Sequence, residues 1–150
     1  MPIAEYKEDI FKSPVQTLVC PVNTVGAMGL GLAKDFRDRV PGLYKAYKAL
    51  CTSGQFTPNK IWRYKWEATG QYVICLPTKE HWRGLSELDM IVANMEWLTV
   101  LRERLQITSI AVPPLGCGAG GLDYEREVKP KMIEILGTMP IEVRIVLGEE

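Results

Sequence analysis

The chain has one histidine, His81, and its four cysteines (Cys20, Cys51, Cys75, Cys117) contain no C-x-x-C pair. A structural zinc site needs clustered thiolate and imidazole ligands, so this spacing argues against a metal centre. The wide scatter reads as reduced thiols in a cytoplasmic protein and not as a disulfide framework. Net charge is also lacking, since 18 Lys and Arg balance 18 Asp and Glu. That argues against tight non-specific binding to nucleic acid and leaves room only for a local basic patch. No apolar run is long enough to span a bilayer, and the stretch from Met1 to Lys7 has no signal-peptide core. Repeats and linkers are missing too. What remains is 150 residues, 47% hydrophobic and 24% charged, which is one domain with room for its own core.

The most informative stretch runs from Pro113 to Asp123 and carries four glycines in six positions, Gly116, Gly118, Gly120 and Gly121. It follows the apolar run Ile110-Ala111-Val112 and precedes a helical pattern. Glycine lets a ligand approach the main chain closely. Successive N–H groups at a strand-to-helix junction form an anion cradle, so the expected occupant is a phosphate or diphosphate. A second loop of this kind, Asn23 to Gly31, follows the non-alternating run Thr17–Val22. Such a run marks a strand buried on both faces of a parallel or mixed sheet. Neither loop continues as a P-loop, and neither offers G-x-G-x-x-G before a helix with the acidic partner of a dinucleotide site.

The other elements fall around these loops. Leu32, Phe36 and Val40 share a helix face, and Pro41-Gly42 stops that helix, with Pro41 able to open a second one carrying Leu43, Tyr44 and Tyr47. Trp62, Tyr64 and Trp66 alternate with Arg63 and Lys65, which predicts a half-buried strand whose aromatic face packs the core. It pairs as a hairpin with Gln71–Pro77. The cluster Thr78-Lys79-Glu80-His81-Trp82-Arg83 follows at a strand end, and Ser86 is placed as a helix N-cap. Leu88, Ile91, Val92, Met95, Leu98, Leu101 and Leu105 give an amphipathic helix. Asp123 is placed as another N-cap, with a short turn before a main helix starting near Lys129. Asp9 lies where a carboxylate accepts from a ligand amine or simply forms a turn. Strands alternating with helices, and loops at strand C-termini, predict an α/β fold with its ligand at that edge.

These residues resemble a macrodomain, the ADP-ribose-binding module. Asn23 with Gly26-Ala27-Met28-Gly29-Leu30-Gly31, then Pro113 to Leu122, then Asp9-Ile10, carry the likeness over essentially the whole chain. Leu76-Pro77-Thr78-Lys79-x-His81-Trp82-Arg83 is similar to the DarG branch, the antitoxin of the DarT–DarG pair. The resemblance implies a three-layer α/β/α fold with a central mixed, largely parallel sheet, formed by residues 1–150. It implies further that the family's C-terminal toxin-binding domain is absent from this chain. Asp9 and Ile10 are expected to hold the adenine. Leu115, Gly116, Cys117, Gly118, Ala119, Gly120, Gly121 and Leu122 are expected to wrap the diphosphate. Asn23, Gly26, Met28, Gly29, Leu30 and Gly31 are expected to surround the distal ribose.

The implied activity is removal of ADP-ribose from thymine bases of single-stranded DNA, without cofactor or metal, by a monomer that neutralises a DarT-like toxin. Lys79 would attack the distal ribose, since partial burial and neighbouring cations make an amine nucleophilic. Asn23 would orient the ribose hydroxyls, and Asp123 either shuttles protons or caps its helix. His81, Trp82 and Arg83 are the expected contacts to base or DNA. A shallow basic rim of Lys34, Arg37, Arg39, Arg63, Lys65 and Arg83 would meet the strand. The alternatives are a non-catalytic ADP-ribose-binding module and a hydrolase of a small ADP-ribose derivative.

Overall fold

A computed structural model describes residues 3–81 and 84–149. The six strands are β1 (Ile3–Tyr6), β2 (Thr17–Val22), β3 (Trp62–Trp66), β4 (Gln71–Pro77), β5 (Ser109–Val112) and β6 (Glu142–Val146). The helices are α1 (Gly31–Arg39), α2 (Leu43–Thr52), α3 (Leu88–Leu101) and α4 (Lys129–Leu136). One sheet has the order β1-β6-β5-β2-β4-β3. Every neighbouring pair is parallel except β3, which runs antiparallel to β4 as the expected hairpin.

Alternate residues of the central strands face opposite layers, which is why these runs are apolar throughout. Leu18, Cys20, Val22, Val73 and Cys75 pack with Phe36, Val40, Leu43 and Tyr47 of α1 and α2. Val19, Ile74, Leu76, Ile110 and Val112 pack with Ile91, Met95, Leu98, Met132 and Leu136 of α3 and α4. The fold is therefore the expected three-layer α/β/α arrangement. No helix among the described residues is long and apolar enough to cross a membrane.

Two details differ from the sequence reading, and a third fits it. Gly42 caps α2, so Pro41 lies outside that helix. The N-cap of α3 is Glu87, one residue after Ser86. Before α4 the backbone forms a single π-helical turn, Tyr124–Val128, capped by Asp123, and Pro130 then sits in the first turn of α4. Pro130 costs no hydrogen bond there because first-turn N–H groups have no helical partner.

The sheet order places β2 between β5 and β4. The chain leaves β2 toward α1 and α2 on one face and leaves β4 and β5 toward α3 and α4 on the other. Their C-terminal ends are parallel neighbours, so the three following loops meet over one crevice, where open α/β sheets bind ligands.

Candidate functional site

The crevice holds a cavity of about 790 Å³ walled by Asn23, Ala27, Gly29, Leu30 and Gly31 on one side. Thr78, Lys79 and Ser86 form a second wall, and Pro113, Pro114, Gly116 to Gly120 and Tyr124 close the third. Lys79 is the only charged side chain lining it among the described residues. A smaller cavity of about 360 Å³ is lined by Asp9, Ile10, Phe11, Asp35 and Arg39 and shares Leu32, Pro113 and Pro114 with the first. The two form one trough along the crest of the sheet, in the size range of a site for an extended small molecule.

Hydrogen bonds from both flanks fix Lys79 in place. Thr78 N donates to Val22 O (2.9 Å), Thr24 N donates to Glu80 O (2.9 Å), and Glu87 N donates to Thr78 O (2.9 Å). The fully buried Asn94 of α3 donates to Pro77 O at the end of β4 (2.9 Å) and to Pro58 O (2.9 Å). The backbone around Lys79 is thus stitched to β2, to the Asn23 loop and to α3. Lys79 is half-buried, makes no ion pair among the described residues and lines the cavity.

Asn23 is nearly buried and does more internal work than the sequence reading gave it. Its Oδ1 accepts from Val25 N (3.2 Å), Ala27 N (3.2 Å) and the Tyr47 hydroxyl (2.8 Å), while Nδ2 donates to Ala27 O (2.8 Å). The side chain therefore shapes its own loop and has one N–H left for a ligand. Tyr47 is fully buried, and burial, with the nearby thiols, pushes its hydroxyl above the ordinary tyrosine range, so it stays a donor. Tyr47→Phe removes that donor while leaving the buried Asn23 oxygens in place. It is expected to cost about 1–3 kcal/mol of stability in urea unfolding and to weaken ligand binding through a loosened loop.

Within both glycine loops the structure separates lining residues from supports. Gly29, Leu30, Gly31, Gly116, Cys117, Gly118, Ala119 and Gly120 line the cavity. Gly26 and Met28 do not: Met28 is in the core beneath the loop, and Gly26 is buried against Lys48 and Cys51 of α2. Leu115 is a core residue under the second loop, Leu122 packs on the α3–α4 core, and Gly121 lies against Leu85, outside the lining. Gly26, Met28 and Leu115 sit buried on the inner side of turns, where a small or apolar residue meets the core, while Gly121 is exposed away from the cavity.

Asp9 and Ile10 both line the smaller cavity. The Asp9 carboxylate accepts from Phe11 N (3.0 Å), and Arg39 lies 3.9 Å from its other oxygen and over the Phe11 ring at 4.5 Å. Asp123 caps the π turn, accepting from Arg126 N (3.0 Å), and is not among the residues lining the larger cavity. Its geometry matches the capping alternative. His81 is exposed and outside the lining, and Trp82 and Arg83 lie outside the described residues.

The expected basic rim is largely dissolved by pairing. Arg63 donates to Leu105 O (2.6 Å), past the end of α3, and lies over Tyr72 of β4, as does Lys65. Lys34 and Arg37 pair with Asp38 at 3.1 and 3.3 Å. Thr78, Ser86 and Tyr124 are lining residues that the sequence reading left out of the site. Thr78 carried a usable signal, since it is the first residue past a buried strand. Tyr124 is held by its hydroxyl bond to Glu5 of β1, and that bond, with Lys129, holds the Glu5 carboxyl below the usual carboxylate range. Burial, reinforced by Asp123 and Glu127, pushes the Cys117 thiol up to about 11, so it stays protonated and unreactive at neutral pH.

The profile of the Macro domain family matches residues 19–129, which takes in both glycine loops and the Lys79 segment. The chain belongs to the macrodomain family. Among macrodomains its likeness is to those of DarG proteins. The structure named "Macrodomain of Mycobacterium tuberculosis DarG" superposes with a TM-score of 0.89 at 35% identity, covering 99% of this chain and 97% of that one. "Thermosipho africanus DarTG in complex with ADP-ribose" superposes with a TM-score of 0.92 at 34% identity, covering 97% of this chain and 41% of that one. A Mycobacterium tuberculosis protein named DNA ADP-ribosyl glycohydrolase is 39% identical over 138 residues, 88% of this chain and 38% of that protein. This macrodomain thus spans well under half the length of that curated relative.

Proposed function

We propose that this macrodomain is a DNA ADP-ribosyl glycohydrolase that releases ADP-ribose from thymine in single-stranded DNA and so opposes a DarT-like toxin. The observation that carries the reading is a single amine, Lys79, lining a larger cavity whose other lining residues among those described are neutral. The smaller cavity takes the adenine beside Asp9 and Ile10. The Gly116–Gly120 backbone takes the diphosphate, and Asn23 with Gly29–Gly31 takes the distal ribose. Printed names of the relatives support the ligand and the reaction: one DarTG structure holds ADP-ribose, and the curated relatives are named for the glycohydrolase.

In the reaction, the Lys79 nitrogen bonds to the anomeric carbon of the distal ribose as the carbon–nitrogen bond to thymine breaks. The proton lost by the amine goes to the departing thymine nitrogen. The ribosyl-lysine opens by cleavage of the ring carbon–oxygen bond, giving an imine and a ribose hydroxyl. Water adds to the imine, and collapse returns the amine of Lys79 and free ADP-ribose. A covalent intermediate of this kind splits one difficult displacement into two easier steps. Asn23 holds the ribose against Lys79, which supplies the proximity term.

The test is incubation of this chain with single-stranded DNA carrying ADP-ribose on thymine, following released ADP-ribose by chromatography. Release at catalytic protein concentration is the expected result. Tight binding of ADP-ribose with no release would instead make the protein a reader. Release only from small ADP-ribose derivatives would make it a hydrolase of metabolites.

A further inference from the structure

Ser86 is 7% exposed, and its hydroxyl oxygen is buried with no hydrogen-bond partner among the described residues. An orphaned buried hydroxyl is unfavourable and calls for an explanation. Its place in the fold is specific. Ser86 lines the larger cavity, and its backbone N–H donates to Gly120 O (3.0 Å), which locks the start of α3 to the second glycine loop. The hydroxyl lies directly on that loop: a Cβ built on Gly120 would come 2.0 Å from Ser86 Oγ, and one on Gly116 would come 2.8 Å from Ser86 Cβ.

The turn from Gly118 to Gly121 packs on the hydroxyl, tied to Ser86 through the Gly120 carbonyl and exposed at its tip. It closes with a 3.3 Å bond from Gly121 N to Gly118 O, Gly118 and Ala119 are exposed, and nothing lies within 4 Å of a Cβ built on Gly118.

We propose that Ser86 is a ligand-binding residue: with a diphosphate in the cradle the Gly118–Gly121 turn shifts and Ser86 Oγ donates to a phosphate oxygen. The inference rests on the reading that the trough holds ADP-ribose, and it adds a side-chain donor to a cradle otherwise built from backbone N–H groups. A hydrogen bond to a charged oxygen is among the stronger kinds, and here it also satisfies a donor that no group among the described residues pairs.

The experiment measures ADP-ribose affinity by calorimetry and the melting temperature of the ligand-free protein, for wild type, Ser86→Ala and Ser86→Thr. Ser86→Ala is expected to bind about ten- to a hundredfold more weakly while melting at the same temperature or higher, because it removes an orphaned hydroxyl. Ser86→Thr keeps the donor and is expected to retain affinity within a few-fold. Unchanged affinity in Ser86→Ala overturns the proposal, and so does a loss of affinity matched by a fall in melting temperature, which marks a structural role. A wild type that does not bind ADP-ribose at all overturns the functional reading beneath it.

Discussion

Lys79→Arg is expected to bind ADP-ribose about as well as the wild type and to release none from modified DNA. Arginine keeps the positive charge and most of the length, but its guanidinium does not deprotonate in proteins and so supplies no nucleophile. Loss of a nucleophile removes the covalent route outright, and turnover is expected to fall at least about a thousandfold. Lys79→Ala is expected to match it in rate and to melt within about 0.5 kcal/mol of the wild type, since the amine makes no ion pair among the described residues. The assay is ADP-ribose release from thymine-modified single-stranded DNA alongside calorimetric binding. Near-normal turnover by Lys79→Arg would leave Lys79 as an electrostatic contact and move the chemistry elsewhere in the trough.

Gly120→Ala is expected to abolish measurable binding of ADP-ribose with Lys79 intact. The new methyl carbon would lie 2.0 Å from Ser86 Oγ and 2.5 Å from Gly116 O. Neither neighbour yields cheaply. Ser86 is tied by its backbone to Gly120 O (3.0 Å), and Gly116 O accepts from Leu122 N (3.0 Å), the bond that closes the loop. Relief requires the loop to open, which costs about 1–3 kcal/mol as overpacking and scatters the N–H groups that cradle the diphosphate. We expect affinity to fall about a hundredfold or more. Gly118→Ala is the control for folding, because a Cβ there has nothing within 4 Å in the free protein. Wild-type affinity in Gly120→Ala would show that this loop is not the diphosphate cradle.

The fold was legible where physical chemistry acts over a short stretch. Thr17–Val22 and Gln71–Pro77 read as strands buried on both faces, and each lies in mid-sheet between two helical layers. The alternation of Trp62, Tyr64 and Trp66 with Arg63 and Lys65 marked a half-buried strand, and it pairs with β4 in the expected hairpin. Its cations were assigned to the wrong surface. Sequence shows that Arg63 and Lys65 point away from the aromatic face, but not that Tyr72 and the carbonyl of Leu105 wait there to receive them.

The same limit runs through the site. Met28 and Gly29 are adjacent in a glycine loop, yet the first is core and the second lines the cavity. Ser86 reads as a helix cap by residue type, and its hydroxyl instead meets a loop more than thirty residues further along the chain.

By itself the sequence determined the elements, the two glycine-rich loops at strand ends and an amine after a buried strand. Each depends on residues close together in the chain: hydrophobic period, glycine content, and the positions at which strands end. Only the tertiary structure decided that β2 lies between β4 and β5, which brings the three loops over one trough. It also decided which cations are already paired, and that the Ser86 hydroxyl has no partner among the described residues. Those facts depend on long-range packing and on which polar groups find one another across the sheet, and no local pattern encodes them.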